Sequence, residues 1–287
     1  MMTWRLAKLL QRRSIALRVY HRLITENTAH VPVGWITVGV FLIFFAGSAI
    51  QNARLGQAVL LLAALGLLVT LLNGAFQGAI ATVHISSFLA KMREQRLYDL
   101  LCLLPPGTAT TQWSLCAVYM QRSAIFDHLG SEVVWIMRFL FSMLVVMSVA
   151  QPAMQILEGP ILALVQVMLL CVAFYLDDLQ SLVVCILIGQ ISPTYARSPA
   201  DARLYALSGY FFVQLLVYLL TWLLAFTLLP AAYAQLNFTG LLPGILHSLV
   251  ALGLFYGIRE AAVQALWRLW IYRLDISPKD TLMAGVG

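Results

Sequence analysis

The 287-residue chain predicts an all-α polytopic membrane protein with six transmembrane helices, an N-terminal interfacial helix and a cytoplasmic elbow between spans two and three. Three observations predict this class. The residues are 61% hydrophobic and only 10% charged, which gives more apolar surface than one soluble core can bury. Continuous apolar runs of about 20 residues, the length that crosses a bilayer, recur along the chain. Basic residues cluster in alternate loops.

The first 32 residues form a basic segment ahead of the first apolar run. Its apolar residues recur at near-helical spacing among arginines and lysines; they are Leu6, Leu10, Leu17 and Ile24. This pattern predicts a helix lying on an anionic inner leaflet, with a disordered basic tail as the alternative. The chain thus divides into this segment (1–32), a six-span membrane domain (33–258) and a cytoplasmic tail (259–287).

Six apolar runs define the expected spans. They cover residues 33–50, 57–90, 133–150, 160–191, 205–229 and 242–258. The second run is too long for one crossing, so its helix is expected to project into water. The helix of the last run can likewise continue into the cytoplasm.

The distribution of basic residues predicts the orientation, because lysine and arginine bias loops toward the cytoplasm. The N-terminal segment holds six basic residues, the loop after span two four, the loop after span four two, and the tail four. The opposite loops hold only Arg54, and Arg138 lies within span three. Both termini are therefore expected in the cytoplasm, with the protein in the cell inner membrane. The net charge of +6 is a topological signal and not evidence for nucleic-acid binding.

A charged segment at residues 91–107 follows the second run and reaches a double proline. If residues 94–104 form a helix, four leucines share one face that can rest on the membrane domain, while Gln95 and Asp99 point away. Pro105, Pro106 and Gly107 would end this helix. The segment is the expected meeting point with a soluble partner, and a helix that only fixes topology is the alternative.

The pair Arg93–Glu94, followed by an acidic, leucine-rich stretch from Asp99 and then Pro105, resembles the permease subunits of ABC type-2 transporters. The chain departs from that pattern before span three, where the family often shows Gly-Lys and this sequence has residues 116–119, Cys-Ala-Val-Tyr. The resemblance implies a second permease subunit and a separate cytoplasmic ATP-binding subunit, which would hold ATP and Mg. It places the coupling to the ATPase at Arg93, Glu94, Arg96 and Asp99.

Motifs for chemistry within this chain are missing. The five histidines form no His-Glu-x-x-His pattern, and neither a Gly-x-Ser-x-Gly motif nor a glycine-rich phosphate loop is present. The four cysteines show no Cys-x-x-Cys spacing. We therefore expect no catalytic residue, no cofactor and no metal in this chain.

Asp177 and Asp178 interrupt a long apolar run, where two carboxylates are costly unless they face a polar cavity, pair with a cation or become protonated. They predict a translocation path, or a wet bend in a broken helix. Arg138 is a candidate partner for the pair, although it can also extend to the inner headgroups. Asn73 and Gln77 can line the same path or hydrogen-bond across helices.

Small and aromatic residues indicate how the helices pack. Gly74 and Gly78 in span two, and Gly253 and Gly257 in span six, have the spacing that permits close helix approach. Aromatic residues beyond span six are typical of an interfacial belt; these are Trp267, Trp270 and Tyr272.

The expected function is that of a permease subunit of an ATP-driven exporter embedded in the lipid bilayer, in which a separate subunit hydrolyses ATP. The alternative is an ion- or proton-coupled secondary transporter that uses Asp177 and Asp178 as its coupling site. Six unrepeated spans and the charged elbow favour the first.

Overall fold

The computed structural model describes residues 2–11, 53–96, 107–122, 132–150, 158–235 and 241–274. These residues are helical almost throughout and contain no strand. The helices are α1 (Met2–Gln11), α2 (Ala53–Glu94), α3 (Gly107–Arg122), α4 (Glu132–Ala150), α5 (Glu158–Ile191), α6 (Pro199–Trp222), α7 (Leu229–Gln235) and α8 (Leu241–Arg273). A short 3₁₀ turn, Ser192–Thr194, follows α5, and a π-helical segment, Leu223–Leu228, joins α6 to α7.

Four of the described stretches are long and apolar enough to cross a membrane: Ala64–Glu94, Ile161–Thr194, Pro199–Ala232 and Gly244–Arg273. The predicted third span forms α4, whose apolar part, Val134–Val146, is shorter. The predicted first span, 33–50, lies outside the described residues. The all-helical membrane character is thus confirmed for four spans, and the count of six stays a prediction.

Helix α5 is the centre of the bundle and packs against α2, α4, α6 and α8. Helix α2 runs parallel to α5, because Gly74 lies beside Asp178 and Gly189 lies against Ile85, 11 residues further along both helices. Helix α8 is also parallel to α5, with Gly244 beside Leu162 at one end. We call the end at which α2, α5 and α8 finish the basal end.

Helix α6 runs antiparallel to α2. Near the basal end the Ser86 hydroxyl donates to the Ala202 carbonyl at 2.9 Å, and further along Gly78 approaches Tyr210. The helix begins at Pro199, earlier than the predicted residue 205, because the Ser198 hydroxyl accepts a hydrogen bond from the Asp201 amide at 3.2 Å and caps the first turn.

The fifth predicted span also continues past its expected end at residue 229. Pro230 lacks an amide hydrogen and cannot continue the normal ladder of hydrogen bonds. The chain accommodates it with the π-helical segment, in which the Leu229 amide reaches back to the Leu224 carbonyl. The helix then continues as α7.

The predicted helix 94–104 does not begin at its expected residue. Glu94 is the last residue of α2, and Gln95 and Arg96 form a turn in which Arg96 has a φ of 56°. A left-handed residue just past the last helical turn is a common way for a helix to end. The remainder of the predicted helix 94–104, including Asp99, lies outside the described residues, so the elbow is not confirmed.

Helix α3 is an element that the sequence analysis did not predict. Gly107, expected to end the elbow helix, instead begins α3. Its residues 115–120 are all apolar and buried, so this part of α3 shows no alternation of polar and apolar positions and no amphipathic period.

The aromatic residues near the end of α8 do not together form the predicted interfacial belt. Trp267 and Trp270 are buried, and both meet Trp113 of α3 edge-on, with ring centroids 6.1 and 6.3 Å apart. Tyr272 is 79% exposed. The predicted interfacial belt is therefore wrong for the two tryptophans, which belong to the core.

The two glycine pairs also differ. A Cβ on Gly78 would overlap the Tyr210 hydroxyl and lie 2.7 Å from Tyr210 Cζ, and one on Gly74 would lie 3.3 Å from Asp178 Oδ1. A Cβ on Gly253 or Gly257 would meet nothing within 4 Å among the described residues. Only the first pair serves the predicted close approach here.

We expect Gly78→Ala to lower the melting temperature of the detergent-solubilised protein, because forcing a methyl group against the buried Tyr210 costs about 1–3 kcal/mol. Gly253→Ala is the matched control. Its methyl group enters open space, and alanine favours a helix over glycine by up to about 1 kcal/mol, so its melting temperature should be unchanged or raised. Equal behaviour of the two variants would contradict the close approach of α2 and α6.

Candidate functional site: a buried ion-pair network

Two buried arginines and two buried aspartates lie together inside the bundle. The exposed fraction is 3% for Arg138 on α4, 5% for Asp177 and 8% for Asp178 on α5, and 2% for Arg259 on α8. Charges removed from water to this extent are tolerated only with partners of opposite sign and with hydrogen bonds to their remaining polar atoms. Two positive and two negative groups make the set neutral. We call these four residues the ion-pair network.

Arg138 pairs with Asp178. Its Nη2 donates to Asp178 Oδ1 at 3.0 Å, and its Nη1 donates to Asp178 Oδ2, so both carboxylate oxygens are engaged. The guanidinium also lies 5.4 Å from the Trp135 ring centroid and 5.2 Å from that of Phe174. A two-pronged contact fixes the relative orientation of α4 and α5 as well as their separation. Arg138 therefore points to the aspartates rather than toward a headgroup region.

Arg259 pairs with Asp177 and holds several more groups of α5 and α6. Its Nη2 forms an ion pair with Asp177 Oδ1 and donates to Gln214 Oε1 at 3.0 Å. Its Nη1 donates to the Asp177 carbonyl at 3.1 Å and to Ser181 Oγ at 2.9 Å. The guanidinium faces the rings of Tyr218 and Phe255, at 5.2 and 5.0 Å from their centroids.

One face of α6 completes the hydrogen bonding. Tyr210, Gln214 and Tyr218 follow one another at four-residue spacing, which places them on one side of a helix. Gln214 Nε2 donates to Tyr210 Oη at 3.0 Å and to Ser181 Oγ at 2.9 Å. Tyr218 Oη donates to Asp177 Oδ1 at 3.0 Å. Through Tyr210 this polar face reaches Gly78 of α2.

The two aspartates lie within an unbroken helix. Helix α5 runs through both of them, so the alternative of a wet bend in a broken helix is wrong. Because Asp177 and Asp178 are adjacent, about 100° apart around the helix, they reach different neighbours. Asp178 binds α4, and Asp177 binds α6 and α8. One dipeptide therefore ties the central helix to three others.

Several buried polar atoms near the network have no hydrogen-bond partner within the part of the chain that the structure describes. These are both amide atoms of Gln180, Nε of Arg138 and of Arg259, and Oγ of Ser142. An unpaired buried polar group costs about 1–3 kcal/mol.

The remaining sequence candidates are placed as follows. Gln77 is half-buried on α2 beside Gly78, and the side chain of Asn73 lies outside those that the structure describes. Arg93 is half-buried, and Glu94 and Arg96 are exposed, all at the basal end of α2. These three charged residues lie away from the ion-pair network, 15 or more residues along the chain from Gly78.

Arg259 and its α6 partners were not predicted as site residues. Arg259 was assigned to the start of the tail, whereas α8 continues through it to Arg273. The four-residue repeat of Tyr210, Gln214 and Tyr218 in an otherwise apolar helix is a signal that could have identified the polar face of α6.

The network offers ion pairing and hydrogen bonding but no assembled metal site. No group of three or more histidine, cysteine, aspartate or glutamate residues that could hold a metal ion is found among the residues described. Among the residues described, the protein is an all-helical, membrane-type bundle with two ion pairs in its interior. Comparison with protein-family models, with curated proteins and with solved structures finds no match to this chain.

We expect Arg138→Met alone to destabilise the protein by about 3–5 kcal/mol, because it leaves the Asp178 carboxylate buried without its cation. Adding Asp178→Leu should restore most of that loss, since the pair is then replaced by apolar groups. Thermal unfolding in detergent, followed by tryptophan fluorescence, measures both. The exposed Arg203→Met is the control and should change stability by no more than about 0.5 kcal/mol. A double variant as unstable as Arg138→Met would contradict the pairing.

Proposed function

We propose that the protein is the membrane-spanning permease subunit of an ATP-driven ABC exporter of the cell inner membrane. In this proposal it pairs with a second permease subunit and couples to a separate cytoplasmic ATPase. Substrate crosses by alternating access, and the chain itself performs no bond chemistry. Both termini are cytoplasmic, and the basal end of the bundle faces the ATPase.

The observation that carries this proposal is the length of α2. Its 42 residues correspond to about 63 Å at 1.5 Å per residue, roughly twice the thickness of a hydrocarbon core. From Gly74, beside the ion-pair network, to Glu94 is 20 residues, or about 30 Å. A helix of this length exceeds one crossing by about 30 Å, so part of α2 projects into water, and the proposal places its basal end there. This projection ends in charged residues, as a contact for a soluble ATPase requires.

The contacts of α2 give a physical route from this end to the interior. The helix is continuous from its charged end to Gly74 and Gly78, which approach Asp178 and Tyr210. A displacement of its basal end is therefore transmitted to the side chains that tie α5 to its neighbours. In the proposed mechanism, the ion-pair network keeps α4, α5, α6 and α8 together while the ATPase moves α2.

A secondary transporter is the second candidate, and the buried carboxylates are the observation that favours it. A coupling carboxylate must take up and release its ion during transport. Asp177 and Asp178 are each held by an arginine, so releasing either would leave a buried guanidinium without its counter-ion. This pairing favours a structural role and supports the permease over the proton-coupled alternative.

The proposal is tested by purifying the tagged protein from its native membrane in mild detergent and measuring the ATPase subunit that comes with it. We expect an ATPase with the wild type and at least a tenfold lower yield with the triple variant Arg93→Ala, Glu94→Ala, Arg96→Ala. The matched control is Arg197→Ala, Asp201→Ala, Arg203→Ala, which removes the same charges from the α5–α6 connection and the start of α6, at the same end of the bundle.

The outcomes separate the candidates. Loss of the ATPase from the first triple variant alone supports coupling through the end of α2. Equal loss from both variants would contradict that assignment. If wild type carries no ATPase, and proteoliposomes show proton uptake that Asp177→Asn abolishes, the secondary transporter is the correct class.

A further inference from the structure

A third buried carboxylate lies next to the ion-pair network and faces a different helix. Glu260 follows Arg259 on α8 and is 8% exposed. It accepts hydrogen bonds from the Met2 amide, from the Thr3 amide at 3.4 Å and from the Thr3 hydroxyl. Tyr256 Oη, one turn earlier on α8, also donates to it, at 3.3 Å. Three of these four donors come from the first turn of α1.

The contact is favourable for two physical reasons. The first amides of a helix have no partner within that helix, and the aligned peptide dipoles make this end positive. A carboxylate from another helix satisfies both requirements, as a capping side chain would. The rest of α1 is docked as well, because Thr3 and Leu6 are 1% and 0% exposed and the helix packs on α3, α5 and α8.

We propose that the docking of α1 on Glu260, which we call the catch, is reversible and holds only while the Arg259–Asp177 ion pair is intact. Arg259 and Glu260 are consecutive residues of one rigid helix, so any shift of α8 that separates Arg259 from Asp177 moves Glu260 with it. Helix α1 rests on α5 and α8 together. It can therefore keep both its packing and its bonds to Glu260 only while those two helices hold their present register.

Whether α1 is docked therefore depends on whether the Arg259–Asp177 ion pair is closed or open. With the Arg259–Asp177 pair closed, the carboxylate and the two helix surfaces that α1 needs are in place. With the pair open, Glu260 is displaced from α5 and α1 is released. The catch consists of contacts within this chain and involves no ATPase partner. Its test is therefore independent of the test of the proposed function.

Hydrogen–deuterium exchange of the full-length protein in lipid nanodiscs tests the catch directly. Thr3→Val keeps the shape of the side chain and removes its hydroxyl donor, and Glu260→Ala removes the acceptor. Either change should raise amide exchange in peptides covering residues 2–11 at least tenfold, while peptides from α5 stay protected. Because Thr3→Val alters only α1, it remains informative if Glu260→Ala fails to fold. Unchanged exchange in residues 2–11 with Thr3→Val would overturn the catch.

The coupling is tested with two neighbouring variants. Asp177→Asn weakens the pair with Arg259 on α8, whereas Asp178→Asn weakens the pair with Arg138 on α4. We expect the first to raise exchange in residues 2–11 at least fivefold, and the second to raise it in residues 132–150 while leaving residues 2–11 within twofold of wild type. An equal effect of both variants on residues 2–11, or no effect of Asp177→Asn there, would overturn the coupling.

Discussion

Neutralisation of buried charge governs how the central helix of this bundle meets its neighbours. The four residues of the ion-pair network lie in an apolar bundle, and each has a partner of opposite sign. Buried ion pairs contribute little net stability compared with apolar packing, but breaking one is costly, so they specify which helices meet and in which register. Here the two aspartates lie on the central helix α5, and their arginines come from α4 and α8. This arrangement sets how α4 and α8 meet α5.

The surrounding residues are suited to this arrangement. Glycines at positions 74 and 78 let α2 approach the charged centre, and the polar face of α6 supplies hydrogen bonds to Arg259 and Asp177. A separate, aromatic core closes the basal end, where Trp113 meets two tryptophans of α8. The interior is thus organised in two parts, a polar network along α5 and an apolar core at the basal end. Helix α2 connects both to its exposed, charged end.

Much of the architecture could be predicted from the sequence, because hydrophobicity and length are enough to identify long membrane helices. The Asp177–Asp178 dipeptide and Arg138 stood out because charges are rare in such runs. Arg259 did not, because a basic residue just after an apolar run has the same sequence context whether it begins a cytoplasmic tail or continues a buried helix. Helix α3 was missed because its apolar, buried stretch at residues 115–120 leaves no periodic pattern of polar and apolar residues. The pairing of Glu260 with Thr3 joins residues 257 positions apart and has no local signal at all.

A double-mutant cycle on Arg259 and Asp177 measures whether these two charges stabilise each other. Arg259→Met, Asp177→Leu and the double variant would be compared with wild type by equilibrium unfolding in detergent. We expect a coupling free energy of at least about 1.5 kcal/mol, within the range found for neighbours in one hydrogen-bonded network. Additive effects of the two single variants, with a coupling free energy near zero, would contradict this expectation.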